Sequence, residues 1–176
     1  REAACSTDSP ISPRFSGAGG LTVRLALYQP DIPQNLGAAI RLAACLGVRL
    51  DVIEPCSFPL TDQALKRSAL DYGAAARISR HPSFAAFRAA PERQDGRLVL
   101  VETDGAVAFQ NFQFSTGDTL ILGRESAGSP GELYEAAQAS LRIPMRAGVR
   151  SLNVVAAGAI VLTEAMRQTG AWEKLT

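Results

Sequence analysis

Short apolar, β-prone runs alternate along the chain with longer stretches of helical period. Val23 to Tyr28 and Arg49 to Ile53 are the first two runs. Leu98 to Val101, Thr119 to Leu122 and Leu141 to Ile143 follow, bounded by turn residues as buried parallel strands are. The segments between them predict helices. Asn35 is placed to cap one that runs to about Leu46, with Gly47 as its stop. Thr61 or Asp62 opens another through Leu70, and Ser83 can cap a third over Phe84 to Ala90. A fourth spans about Glu132 to Ala139, and the last runs from about Leu152 to Gln168. Strands alternating with helices predict an α/β fold, an open parallel sheet with helices on both faces.

The last helix carries a further expectation. From Val154 to Leu162 it has no charged or strongly polar residue, so it is apolar nearly all round and calls for burial on every side. In a domain this small a second copy of the chain is the natural cover, which predicts a homodimer through the C-terminal helix.

Length and composition narrow the class. The 176 residues suit one domain, expected over 21–176, and 47% hydrophobic residues supply a normal core. Residues 1–20, rich in Ser, Pro, Gly and Ala with no sustained period, read as a flexible N-terminal extension. Eighteen basic against 17 acidic residues argue against a protein coated with positive charge, though not against a local basic patch. Cys5, Cys45 and Cys56 fit no metal spacing and leave an odd thiol, and His81 is the single histidine. No metal site and no disulfide framework is expected, and free thiols suit a reducing cytoplasm. No uncharged run reaches transmembrane length.

Three stretches concentrate the candidate chemistry, each just past an apolar run, where loops of an open α/β sheet gather to bind ligands. The first, Asn35-Leu-Gly37-Ala-Ala-Ile-Arg41, opens a helix after a Pro-bracketed loop. Exposed N–H groups there favour an anion, and Arg41 would reach back toward the helix start. An N-cap and a solvated arginine would account for the same residues. In the second, Gly123-Arg-Glu125-Ser-Ala-Gly128, Glu125 could accept hydrogen bonds from a substrate or orient Arg41, or simply cap or pair at the surface. It is no P-loop, since Ser129-Pro130 stands where Lys-Ser/Thr is required. In the third, Ile143-Pro144 leads to Ser151-Leu152-Asn153, either end of which can cap the last helix. Arg142, Arg146 and Arg150, with no acidic residue from Leu141 to Asn153, form a cationic loop suited to phosphate contacts. Tyr72, after Lys66 and Arg67, could stack a splayed-out RNA base or half-bury against its own domain. His81, before Pro82, reads as structural.

Together and in this order the three stretches resemble the three motifs of the SPOUT superfamily of RNA ribose methyltransferases. The likeness covers roughly Val23 to Gly170 and is strongest to its small, SpoU-like tRNA 2′-O-methyltransferases, which modify the wobble-position pyrimidine. Tyr28-Gln-Pro-Asp-Ile-Pro-Gln-Asn-Leu-Gly, Ile53-Glu-Pro55, Leu70-Asp-Tyr72, Arg80-His81, Arg142-Ile-Pro-Met145 and Ser151-Leu-Asn153 carry it. Gly73 stands where that group often carries histidine, and Val155-Ala156 replaces more polar residues.

The resemblance implies an α/β domain with a deep C-terminal trefoil knot, acting as a dimer on tRNA. It implies S-adenosylmethionine as cofactor, held by backbone around Val101, Thr103, Gly123, Ile143, Met145, Ser151 and Leu152. Arg41, Glu125 and Asn153 match positions tied to catalysis, and Asn35, Tyr72, Arg146 and Arg150 would meet RNA. Methyl transfer to a ribose 2′-hydroxyl is the expected reaction. Another tRNA or rRNA nucleotide, a non-catalytic RNA-binding subunit of the same fold, and a nucleotide- or flavin-binding doubly wound protein are the rivals. The absence of Walker and Rossmann fingerprints weakens the last.

Overall fold

The computed structural model describes residues 22–60, 72, 76–93 and 96–175. The expected N-terminal extension, the helix expected from Thr61 or Asp62 to Leu70, and Gly73 lie outside them.

Seven parallel strands form one sheet in the order β3-β2-β1-β6-β4-β7-β5. They are β1 (Arg24–Tyr28), β2 (Arg49–Ile53), β3 (Arg77–His81), β4 (Leu98–Val101), β5 (Val107–Ala108), β6 (Thr119–Leu122) and β7 (Ala139–Arg142). Around them lie α1 (Pro33–Cys45), α2 (Phe84–Ala89), α3 (Gly131–Ala136) and α4 (Val154–Gln168). Because side chains alternate along a strand, Leu25, Leu27, Val99, Val101, Leu120 and Leu122 face one side. There they meet Leu36, Ala39 and Ile40 of α1 and Val161, Leu162 and Ala165 of α4. On the other side, Ala26, Tyr28, Leu98, Leu100 and Ile121 pack on Phe84 and Phe87 of α2 and Leu133 of α3. The expected parallel sheet with helices on both faces is what the chain builds.

Local differences have identifiable causes. α1 begins at Pro33, which fixes φ at the first helical position, so Ile32 precedes the helix and Asn35 lies within its first turn, not at the cap. α3 stops at Ala136 rather than Ala139. The Gln138 N–H already donates to the Leu98 carbonyl and its side chain accepts from the Leu98 N–H, so the chain has joined the sheet by then. β7 accordingly starts at Ala139 and ends at Arg142. α4 starts at Val154, with Asn153 Oδ1 accepting from the N–H groups of Val155 (2.9 Å) and Ala156 (3.2 Å). β3 and β5 had no sequence signal: Arg-Ile-Ser-Arg-His reads as polar, and β5 has two residues. Nor is α4 buried all round in one chain, since Ala156 is exposed and Ile160 is 38% exposed.

Strand order sets the geometry of the site. From β1 the chain builds outward through β2 and β3, while β6 and β4 lie on the opposite flank of β1. The loops after β1 and β6 therefore part at a topological switch point. β7 lies between β4 and β5, so the Glu102–Ala106 connection passes over the end of β7. Contact there is backbone against backbone. Glu102 N–H donates to the Leu141 carbonyl at 2.9 Å, and a Cβ on Gly105 would come within 2.2 Å of the Leu141 carbonyl carbon.

A charged cluster ties the first three strands to one another. Asp51, fully buried, accepts from Arg24 Nε (2.9 Å) and a terminal guanidinium nitrogen (2.7 Å), and its Oδ1 lies 2.8 Å from His81 Nε2. His81 also stands edge-on to Phe87. A charge this deep persists only when its partners are in place. Asp51→Ala, which strands the Arg24 guanidinium, is expected to cost roughly 3–5 kcal/mol. Urea unfolding should show a lowered midpoint with an unchanged slope.

Candidate functional site

At the C-terminal ends of β1, β4, β6 and β7 the loops enclose a cavity of about 440 Å³. That size is in the range of small-molecule sites. Val101, Thr103, Gly123, Ile143, Met145, Ser151 and Leu152, from three separate segments, all line it. Asn35, Glu125, Arg150 and Asn153 line it too. Gly123 is closely covered, since a Cβ there would lie 2.3 Å from Ser129 Oγ and 3.0 Å from the backbone of Gly128 and Ser129. Gly128 closes the same loop at φ +67°, a conformation glycine adopts without strain. Ser129 Oγ in turn donates to Glu102 Oε2 at 2.8 Å, fastening the β6 loop to the end of β4.

The polar side chains at the cavity form a directional series. Asn153 Nδ2 donates to Asn35 Oδ1 at 2.9 Å, and Asn35 Nδ2 donates to Glu125 Oε1 at 3.0 Å. Glu125 Oε2 accepts from the Asp31 N–H at 3.3 Å. Asp31 Oδ2 accepts from both the backbone N–H and the hydroxyl of Ser126. Burial, and then the neighbouring Asp31 carboxyl, push Glu125 above the ordinary carboxylate range. Asp31 is held down at about 2, first by its hydrogen bond with Glu125.

Arg41 is elsewhere. Its exposed side chain lies in a second, open groove with Pro33, Gln34, Gly37, Ala38, Leu42, Cys45 and Val155. Its guanidinium carbon sits 5.2 Å from the centroid of the Tyr72 ring, a cation–π distance. Glu125 is thus engaged by Asn35 and Asp31 and does not orient Arg41 within the chain. Tyr72 meets Arg41, and its Lys66 and Arg67 neighbours lie outside the described residues. Of the expected cationic loop, Arg146 and Arg150 are exposed. Arg142 is committed to structure, donating to the carbonyls of Gly105 (2.8 Å) and Ala106 (2.6 Å).

Sequence reasoning did not single out Asp31, Glu102, Arg124 or Ser129. Asp31 carried a faint signal, a carboxylate inside a Pro-bracketed loop. Arg124 borders the cavity, but its guanidinium lies over the Tyr28 ring at 5.6 Å and bonds the Gln29 side chain.

Known proteins share both the sequence and this geometry. The SpoU rRNA Methylase family matches residues 22–163. A tRNA (cytidine(34)-2′-O)-methyltransferase of Ancylobacter novellus is 48% identical over 154 residues, 88% of this chain and 98% of that protein. A solved structure bearing on the 2-OH methylation of C/U34 on tRNA superposes with a TM-score of 0.77 at 40% identity, covering 85% of this chain and 97% of that one. The SpoU methyltransferase AviRb of Streptomyces viridochromogenes, solved in complex with AdoMet, gives a TM-score of 0.72 at 26% identity, over 86% of this chain and 62% of that one. The motif order, the parallel sheet and the family match agree: this chain belongs to the SpoU methylase family.

Proposed function

We propose that this protein transfers a methyl group from S-adenosylmethionine to the 2′-hydroxyl of a tRNA ribose, that of the wobble pyrimidine. The observation that carries the reading is the cavity at the strand ends, with the Asn153–Asn35–Glu125 series beside it. Support for the nucleotide comes from the relatives, which are named for position 34 of tRNA.

The cavity suits S-adenosylmethionine in size and lining. Val101, Leu122, Ile143, Met145 and Leu152 give it apolar walls, and the close approach of Gly123 to Ser129 leaves main-chain groups to do the recognising. When bound, the cofactor supplies an electrophilic methyl on a sulfonium. The chain's own residues orient the nucleophile, and its proton passes to the target phosphate or to water. Asn35, fixed between Asn153 and Glu125, is positioned to orient the ribose. Arg41 does not act as base, because a guanidinium keeps its proton. It pairs with the target phosphate from its groove, with Arg146 and Arg150 adding phosphate contacts and Tyr72 offering a stacking surface.

The reading extends to topology and assembly. The Glu102–Ala106 connection laid over the end of β7 supports a trefoil knot, with the chain leaving β7 beneath that connection. Exposed apolar Ala156 and Ile160, in the uncharged first part of the helix, support a homodimer through α4. A tRNA substrate and the free thiols Cys45 and Cys56 support a cytoplasmic location. Among the described residues no helix is long and apolar enough to cross a membrane.

Tritium transfer from labelled S-adenosylmethionine to bulk tRNA, followed by nucleoside analysis, tests the reaction. Label in a 2′-O-methylated pyrimidine of the anticodon loop is the expected result. Label in another 2′-O-methylated nucleotide would move the target, and no label despite cofactor binding would favour a non-catalytic RNA-binding role. Arg41→Lys should lower kcat by roughly 10²-fold, the order of cost of a misplaced reactant, with cofactor affinity unchanged. A loss of cofactor affinity in that variant would rule out phosphate pairing as the role of Arg41. Ile160→Arg should shift the protein to the mass of one chain in sedimentation equilibrium. An unchanged mass would exclude the α4 interface.

A further inference from the structure

Hydrogen-bond direction around Glu125 is set from outside the carboxyl. The α4 cap requires Asn153 to present Oδ1 to the N–H groups of Val155 and Ala156. Its Nδ2 must then be the donor to Asn35 Oδ1. That orientation leaves Asn35 Nδ2 as the donor to Glu125 Oε1, so Oε1 is an acceptor. Oε2 accepts only the longer contact from the Asp31 N–H, at 3.3 Å, and is the oxygen on the Asp31 side, so it is the one placed to carry a proton toward that carboxyl. It faces Asp31, whose Oδ2 is taken by the two Ser126 donors and whose Oδ1 is buried with no donor among the described residues. Two ionised carboxyls in this arrangement would set acceptor against acceptor.

We propose that Asp31 is a positioning residue that shares one proton with Glu125, carried on Glu125 Oε2 and donated to Asp31 Oδ1. This rests on the reading of the cavity as the cofactor and ribose site. The pair links the loop after β1 to the loop after β6, the two loops that part at the switch point. One proton thereby holds the cavity wall closed and keeps Glu125 neutral while Asp31 carries the charge. The opposed shifts of the two groups agree, Asp31 falling to about 2 and Glu125 rising. The other charged groups lining the cavity are Arg124 on the same loop, Glu102 from the end of β4 and Arg150 before α4. Glu102 is occupied by Ser129 and the Thr103 N–H, and Arg124 by Tyr28 and Gln29. Arg41 and Cys45 on α1 belong to the second groove.

The sign of the pH dependence follows. Glu125 binds its proton more tightly folded than unfolded, so the shared-proton state is complete below its folded midpoint and is lost as pH rises through it. Above that point both carboxyls are ionised and the loops repel. Asp31→Asn replaces the shared proton by an amide N–H, with the amide oxygen still accepting from Ser126.

The experiment is a pH titration of the full chain carrying ¹³C-carboxyl-labelled glutamate, with the Glu125 signal assigned by its loss in Glu125→Gln. A Glu125 midpoint above 4.5, falling toward that ordinary value in Asp31→Asn, is expected. A wild-type midpoint at or below 4.5 overturns the proposal, and that measurement needs no variant to fold. Calorimetry with S-adenosylhomocysteine reads the positioning role. Affinity should weaken severalfold in the wild type as pH rises through the Glu125 midpoint and should be flat in Asp31→Asn. A raised midpoint with pH-independent binding in the wild type overturns the positioning role. Absence of any S-adenosylhomocysteine binding would instead defeat the reading of the cavity, while the carboxyl titration still reports on the proton.

Discussion

The contact between Gly105 and the backbone of Leu141 is the constraint on which the site depends. β7 lies between β4 and β5, and only the residues 102–106 join those two strands, so this short connection must pass over the end of β7. There is room for it only because Gly105 has no Cβ and because the Arg142 side chain ties the carbonyls of Gly105 and Ala106. Loops 102–106 and 143–153 are thereby drawn together as two walls of one cavity. The third wall, Gly123 to Gly128, is fastened to the first by Ser129 and Glu102.

The same crowding bears on the proposed style of recognition. A cavity assembled from loop backbones held at close approach has few side chains free to act as a cofactor signature. Its polar side chains are instead in mutual service, Asn153 to Asn35 to Glu125 to Asp31. Each fixes the orientation of the next, beginning from a helix cap whose direction is set by the backbone. Preorganisation of this kind lowers the cost of ordering a substrate, which is most of what in-line methyl transfer asks of a protein.

Arg41 belongs to a different part of the surface, one that the proposed second copy of the chain would complete. Its groove runs between α1 and the start of α4, beside the exposed apolar positions of that helix. Burial at the sheet explains only one side of α4. Val161, Leu162, Ala165 and Met166 are consumed by the core, and Gly158 lets the helix approach Leu122. Among the described residues Ile160 and Ala156 have no such partner, which is why an all-round apolar pattern is compatible with an exposed face here.

Much of this was legible in the chain because apolar alternation and turn residues are local properties. They specified the buried strands and most helices, and motif order named the residues that converge on the cavity. Polar edge strand β3 was not legible, because its stability comes from pairing with β2 and from His81 meeting Asp51, not from its own composition. Nor could spacing reveal that Asn35 serves Glu125 instead of capping α1, since Pro33 sets the helix start and only strand order brings residue 125 beside residue 35. Sequence by itself determined the buried strands, most helices, the family and the first set of candidate residues. The tertiary structure decided which of them share a cavity, which, like Arg142, are spent on the backbone, and where Asp31 stands. Those outcomes depend on which loops the strand order makes neighbours, and no local pattern encodes that.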